Sequence, residues 1–237
     1  MPNPFFRFKK FTVYHDRCAM KVGTDGVLLG AWANVADAGS ALDVGTGTAL
    51  ISLMLAQRNP NLQIDAIDID MDAIAQAQEN VQQSPYIGQI SCRHISLQEL
   101  ARETDKKYDL IVSNPPYFEK SLKSPDTIRT IARHSDSLYM EELLDASFAM
   151  LSDKGRISLI YPYDFKEKIM SYANDKWLFV ARITNVYPTP GSLPKRILIE
   201  LSKERTSTCE SDIIIEMERH VYSNDFVGLL KDFYLKF

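Results

Sequence analysis

The sequence predicts an α/β protein built on a doubly wound, mostly parallel sheet. Three observations predict it. Between residues 41 and 113, apolar runs of strand length alternate with stretches of helix length, the order that gives parallel strands joined by crossover helices. A Gly-rich turn, Gly45-Thr46-Gly47, joins the first of these runs to the helix after it. From about residue 178, strand-like runs follow one another with no helix between them, which fits an antiparallel edge. Seven strands are expected, in a Rossmann-like arrangement with an antiparallel edge strand.

Taken in order, residues 1–20 are aromatic and basic without periodicity and read as a partly mobile arm. Residues 1–21 are therefore set apart from a single domain over 22–237. A helix is expected over 25–35, with Asp25 at its cap or first turn. Residues 41–44 are the first strand. The helix over 48–58 stops at Asn59-Pro60-Asn61. Strand 63–68 ends on Asp68, and the amphipathic helix over 71–83 stops at Ser84-Pro85. Strand 89–93, helix 96–102 and strand 108–113 follow. The polar stretch 119–137 is too long for a routine connection, and long loops beside a site often act as lids. A helix over 138–151 is expected to stop at Asp153-Lys154-Gly155. Strand 156–161, helix 165–173 and strands 178–186 and 196–202 come next, the last two joined by the Pro-rich stretch 187–194. An added strand at 213–218 and a closing helix over 224–235 complete the chain.

The chain has 237 residues, 45% hydrophobic and 24% charged, which suits one large domain or one domain with a small extension. No apolar run approaches the ~18 residues of a membrane span, and residues 1–7 lack the apolar core and cleavage site of a signal peptide. Cys18, Cys92 and Cys209 are scattered, without C-x-x-C, as suits a reducing cytosol; a cytoplasmic location is expected. The four histidines show no metal-ligand spacing, and no metal is expected. A net charge of −4 argues against a nucleic-acid binder judged globally. The charges segregate, however. Arg7, Lys9, Lys10, Arg17 and Lys21 stand against Asp16 alone in residues 1–21, five bases against one acid for a local +4, whereas Asp65, Asp68, Asp70 and Asp72 cluster without a base.

Two motifs carry chemistry. Leu110-Ile111-Val112-Ser113 ends in Asn114-Pro115-Pro116-Tyr117. Two prolines have no N–H to give a sheet ladder, so the strand stops rigidly. The Asn amide and the carbonyls beside it are then held at a carboxyl strand end, where ligands bind in open α/β sheets. Neutral acceptors beside an aromatic ring suit a planar substrate bearing an NH2 group. The plain alternative is a strand-ending turn with Tyr117 packed on the core. The second motif is Asp43-Val44-Gly45-Thr46-Gly47, whose glycines permit positive φ and close approach to a ligand. Asp68 follows 21 residues beyond Gly47, near the usual offset of ~20 for an acid that binds a ribose. Leu50 stands where a dinucleotide fingerprint has its third glycine, and no P-loop lysine follows. S-adenosylmethionine has a ribose and an adenine but no phosphate, so it needs the close turn and the acid alone.

Asp43-Val44-Gly45-Thr46-Gly47 with Ile67-Asp68-Ile69-Asp70 resembles the cofactor motifs of class I methyltransferases. The block from Phe8 to Trp32, with His15-Asp16-Arg17-Cys18-Ala19-Met20-Lys21-Val22-Gly23-Thr24-Asp25-Gly26 at its centre, resembles the opening of the bacterial tRNA1(Val) adenine-N6 methyltransferases. The likeness runs over essentially the whole chain. It implies S-adenosylmethionine as cofactor and tRNA as partner, with a monomer as the expected state. The implied reaction methylates the exocyclic amine of the adenosine just 3′ of the anticodon of a valine tRNA.

By that resemblance, Asn114 Oδ1 and the Pro115 carbonyl accept from the adenine amine, and Tyr117 stacks on the base. Asp68 takes the ribose hydroxyls, Gly45 and Gly47 lie under the methionine part, and Asp43 organises their loop. Ile69 packs either on the cofactor adenine or in the core. Ser96 stands where related enzymes often place an Asp that accepts from the cofactor adenine. It either accepts there or caps a helix, with Glu99 completing a capping box. Lys21, Thr24 and Asp25 either close over the cofactor or serve as a helix start with an exposed Lys. Lys9, Lys10 and Arg133 are candidates for tRNA phosphates. For the first two the alternative is an arm whose aromatics pack on the sheet, and for Arg133 a solvated loop. Rival readings are an adenine-N6 enzyme for rRNA or DNA, a glutamine-amide methyltransferase for a release factor, and a non-catalytic RNA-binding scaffold on the same fold.

Overall fold

The structure, a computed structural model, describes residues 3–18, 21–116 and 138–237. Its centre is β3 (Ser40–Val44), flanked by β4 (Gln63–Asp68) and β6 (Tyr108–Ser113), all parallel. Outward from β4 lies β5 (Ile90–His94), and outward from β6 lies β7 (Leu151–Pro162), both parallel to their neighbours. Beyond β7 come β9 (Arg196–Ser202), β8 (Phe179–Tyr187) and β10 (Cys209–Ile214), so the order is β5-β4-β3-β6-β7-β9-β8-β10.

The doubly wound, mostly parallel class read from the sequence is present, with two differences in detail. The sheet has eight strands, because the added strand expected near 213–218 joins it at 209–214, parallel to β8. The antiparallel strand β9 is interior, between β7 and β8 and antiparallel to both, and β10 covers β8 and takes the edge. A second difference concerns β7. It begins at Leu151, directly after its preceding helix, and not at 156. The segment expected to end that helix is absorbed in an irregularity of the β6–β7 pairing. There a Cβ on Gly155 would stand 2.7 Å from the Tyr108 carbonyl oxygen, so only glycine fits.

Side chains alternate across the sheet, and each face is covered by helices. One face buries α1 (Thr24–Trp32), α2 (Leu50–Arg58), α3 (Met71–Gln82) and α7 (Asn224–Leu230). The other buries α4 (Leu97–Glu103), α5 (Met140–Met150) and α6 (Lys166–Asp175). α1 is apolar all round and buried from Gly26 to Trp32, as a helix without a polar stripe must be. It crosses α2 closely: a Cβ on Gly30 would lie 2.8 Å from Met54 Sδ and 2.9 Å from Met54 Cβ. Among the described residues no helix is long and apolar enough to cross a membrane.

The N-terminal segment differs from the mobile arm expected. Strands β1 (Phe5–Arg7) and β2 (Thr12–Tyr14) form a hairpin, and Phe8, Phe11 and Val13 are buried in the main core. Phe6 and Phe8 pack on Tyr234. The Lys9 N–H donates to the Phe233 carbonyl at 2.8 Å, and its ammonium donates to the carbonyls of Lys231 and Phe237. Lys9 therefore ties the hairpin to the end of α7, an engagement that a phosphate would have to displace; Lys10 is exposed. The packing alternative accounts for the aromatics: they are hydrophobic anchors.

Candidate active site

Strands β3, β4 and β5 step outward in one direction, and β6 lies on the other side of β3. The crevice at that reversal is the switch point where an open α/β sheet binds ligands. The turn after β3 opens on it from one side and Asn114 from the other. A cavity of about 500 Å³ lies here, within the usual range for small-ligand sites. Its walls include Gly45, Gly47, Asp68, Ile69, Asn114 and Pro115.

The turn is built from inside. Asp43, fully buried, accepts from Thr46 Oγ1 and Ser52 Oγ at 2.7 Å and from the Ser52 N–H at 3.2 Å, all on one oxygen. Its other oxygen has no hydrogen-bond partner among the described residues. Gly45 and Thr46 give their N–H groups to the Ile67 carbonyl at 2.9 Å. Gly45 and Gly47 have φ of +70° and +56°, and a Cβ on either would meet no atom within 4 Å. Both therefore border open space, and a side chain there would be strained as well as intrusive. Ala49, at φ 61°, makes a third left-handed step just before α2. Leu50 then fills the space between α2 and Gly26 of α1, which explains the bulky residue at that position.

Burial lifts the Asp43 carboxyl to about 6, against the lowering effect of its hydrogen bonds. A group raised in this way favours the folded state at pH values below its unfolded pKa, and that contribution disappears as pH rises through about 6. Asp43→Asn should therefore gain on the native protein by about 2 kcal/mol in relative unfolding free energy between pH 4 and pH 7. Denaturant melts of both proteins across that range measure it; a pH-independent difference would contradict the buried-charge account.

Asp68 ends β4 half-buried. Its Oδ2 accepts the Gly47 N–H at 2.8 Å and its Oδ1 the Asp70 N–H at 3.0 Å. Asp70 caps α3, accepting from the N–H groups of Asp72 and Ala73. Asp68 and Asp70 both line the cavity, Asp70 while it caps α3. Ile69 is 49% exposed on the cavity wall, so it is not a core residue. Ser113 Oγ donates to the Val44 carbonyl at 2.8 Å and locks the ends of β3 and β6 together. Asn114 follows, half-buried, with its Nδ2 3.9 Å from where a Cβ on Gly26 would be; Pro115 behind it is buried.

Ser96 caps α4 in a full capping box with Glu99, and both residues also line the cavity. Asp25 lies in the first turn of α1 and pairs with Arg196 at 2.7 Å, while Lys21 is exposed; none of Lys21, Thr24 and Asp25 is on the cavity wall. Tyr117 and Arg133 lie outside the described residues. Sequence reasoning missed Cys18, Ile95, Gln98 and Leu138 as wall residues. Burial, with Asp68 and Asp70 near, raises the Cys18 thiol to about 11 and keeps it protonated. Asn80 was also missed. Fully buried, it bonds Tyr14 through both N–H and carbonyl and donates to the Thr48 carbonyl, joining the hairpin to the start of α2.

Residues 20–161 match the family model described as the methyltransferase small domain. A tRNA1(Val) (adenine(37)-N6)-methyltransferase of Parabacteroides distasonis is 52% identical over 237 residues, all of both chains. One of Trichodesmium erythraeum is 46% identical over 234 residues, 98% of each chain. Among solved structures, a predicted O-methyltransferase from Agrobacterium tumefaciens superposes with a TM-score of 0.69, covering 88% of this chain and 96% of that one at 16% identity. A ribosomal protein L11 methylase from Lactobacillus delbrueckii subsp. bulgaricus gives 0.53 over 76% and 77% at 19% identity. At such identities the superpositions speak for the fold.

Proposed function

The chain belongs to the tRNA1(Val) (adenine(37)-N6)-methyltransferases within the methyltransferase small-domain family, and from that membership we propose that it methylates the exocyclic N6 amine of an adenosine in tRNA, the one just 3′ of the anticodon of a valine tRNA, using S-adenosylmethionine. The observation that carries the mechanism is the meeting of the Gly45–Gly47 turn, Asp68 and Asn114-Pro115 in one cavity at neighbouring strand ends.

The wall chemistry fits that cofactor. Open space over Gly45 and Gly47 admits a chain close to the backbone, and the Asp68 carboxylate suits a diol. Apolar Ile69, Ile95 and Leu97 suit an aromatic base, and among the described residues no lysine or arginine lines the cavity to receive a phosphate. Bound there, the cofactor supplies an electrophilic methyl group on a sulfonium. Asp68 holds the ribose by charge-assisted hydrogen bonds. Asn114 Oδ1 and the Pro115 carbonyl accept the two N–H bonds of the target amine. Its lone pair is delocalised into the ring, and two acceptors held out of plane favour a pyramidal nitrogen aimed at the methyl group. Transfer then depends chiefly on positioning, and the extra proton on the product leaves to solvent. Tyr117 stacks on the base, worth ~1–3 kcal/mol. Lys10 and Arg133 remain the phosphate contacts of this reading.

A release-factor glutamine amide, or an adenine in rRNA or DNA, poses the same planar-nitrogen problem. End-to-end similarity to enzymes named for a tRNA target favours tRNA. The test is transfer of labelled methyl to total tRNA from a strain lacking the enzyme, followed by nucleoside analysis. Labelled N6-methyladenosine in a valine tRNA is the expected product. Absence of label in tRNA, or label in rRNA, DNA or a protein glutamine, would overturn the assignment.

A further inference from the structure

The Gly45–Gly47 turn and Asp68 lie on one side of Asn114, at the ends of β3 and β4. With the cofactor on that side, the RNA comes to Asn114 from the other, over β7, β9 and β8. The turn between β8 and β9 stands there. β8 closes at Tyr187 and β9 opens at Arg196, which pairs with Pro162 at the carboxyl end of β7. β7 runs parallel to β6, so residues 187–195 project from the same sheet end as Asn114. Their base is tied to the site. Arg196 Nε donates to Asp25 at 2.7 Å, and Asp25 precedes Gly26, where a Cβ would be 3.9 Å from Asn114 Nδ2.

The turn is braced. Pro188, Pro190 and Pro194 fix three φ angles. Ser192 gives its N–H and its hydroxyl to the Thr189 carbonyl at 3.2 and 2.6 Å, and the Tyr163 N–H donates to the Lys195 carbonyl at 3.2 Å. On this frame Leu193 is 78% exposed, more than any other large hydrophobic side chain among the described residues. No acid lies in 187–195, and Lys195 is exposed two residues on, its ammonium without a partner among the described residues. A single apolar side chain on a surface is ordinary. One held out on a stiff turn, beside a cation and next to a site for a nucleobase, has the form of a wedge.

We propose that Leu193 enters the RNA loop and fills the space left when the target adenosine leaves its stack, with Lys195 on a flanking phosphate, an inference that rests on the transfer to tRNA proposed above. The adenine amine reaches Asn114 only if the base swings out of the stack into the cavity. The nucleotides it leaves lose a stacked face, and an aliphatic side chain in the gap shields them from water. Leu193 acts on the opening of the loop and takes no part in the transfer itself.

Whole valine tRNA carrying 2-aminopurine at the nucleotide 3′ of the target tests this with the full chain, because that base brightens when it loses a stacking neighbour. Saturating native protein with S-adenosylhomocysteine should brighten it severalfold. Leu193→Ala, also at saturation, should give less than about half of that rise. In single-turnover assays with unlabelled tRNA the same variant should be about tenfold slower. Leu193→Met, an apolar swap of similar volume, should stay within about threefold of the native rate. Affinity for S-adenosylhomocysteine and the melting temperature should not change in either variant. Lys195→Gln should flatten the log–log salt dependence of tRNA binding by roughly 0.7–0.9. No brightening with the native protein, or an equal rise and a native rate in Leu193→Ala, would overturn the wedge while leaving transfer to tRNA intact. An unchanged salt slope would remove Lys195 from the contact. A native protein that transfers no methyl group to tRNA would overturn the reading beneath both.

Discussion

Asn114→Ala should slow methyl transfer by about 10²–10³-fold while leaving cofactor affinity within about threefold. The magnitude is that of removing one preorganised hydrogen-bonding partner from a reacting centre. The acceptor matters chiefly where the amine nitrogen becomes pyramidal, so the loss belongs in kcat and not in cofactor binding. β6 ends at Ser113, whose hydroxyl is bonded to the Val44 carbonyl, so the strand end is held independently of Asn114. Truncation leaves a small space beside Gly26 without breaking a ladder. Single-turnover assays with tRNA, alongside calorimetry of S-adenosylhomocysteine, separate the two quantities. A near-native single-turnover rate would remove Asn114 from the reaction.

Asp68→Ala should weaken S-adenosylhomocysteine binding by about a hundredfold. Hydrogen bonds to a charged group are worth about 1.5–3 kcal/mol each, and the variant loses the ribose contacts. It also frees the Gly47 N–H, which Asp68 Oδ2 holds at 2.8 Å, so the turn loses a support together with the ligand. Asp68→Asn distinguishes these effects. It retains an acceptor for Gly47 but not the charge, and its affinity should fall between those of the native protein and the Ala variant. Native affinity in the Ala variant would mean that the ribose is held elsewhere.

The parts of the molecule legible in the sequence are those whose signal is local. The strand–turn–helix around Gly45 and Gly47 needs positive φ at fixed positions, and Asn114-Pro115-Pro116 ends its strand by chemistry contained in the motif itself. The β4 end was legible for the same reason: Asp70 caps α3 by a short-range rule, and Asp68 at the strand end lies on the cavity wall. What escaped depends on partners far along the chain. Phe6, Phe8 and Phe11 do not alternate as a strand should, and their packing on Tyr234 and Tyr86 is invisible from residues 1–20. The pairing of β10 with β8, which takes β8 off the sheet edge, is likewise a long-range choice. Glu99 was legible as half of a capping box. Its place on the cavity wall follows only once β5 is laid beside β4.

The hairpin has a consequence for synthesis. Its Phe6 and Phe8 rest on Tyr234, and Lys9 reaches the Phe233 and Phe237 carbonyls, the latter 228 positions on, so the hairpin packs on residues synthesised long after it. At ~5–20 residues per second, the nascent chain carries these rings without their final partners for on the order of ten seconds or more. Closing so long a loop is the entropically slow part of the fold. The hairpin should thus be among the last units to dock, and a chain released before residue 233 leaves its N-terminal aromatics in water as bait for chaperones and for one another.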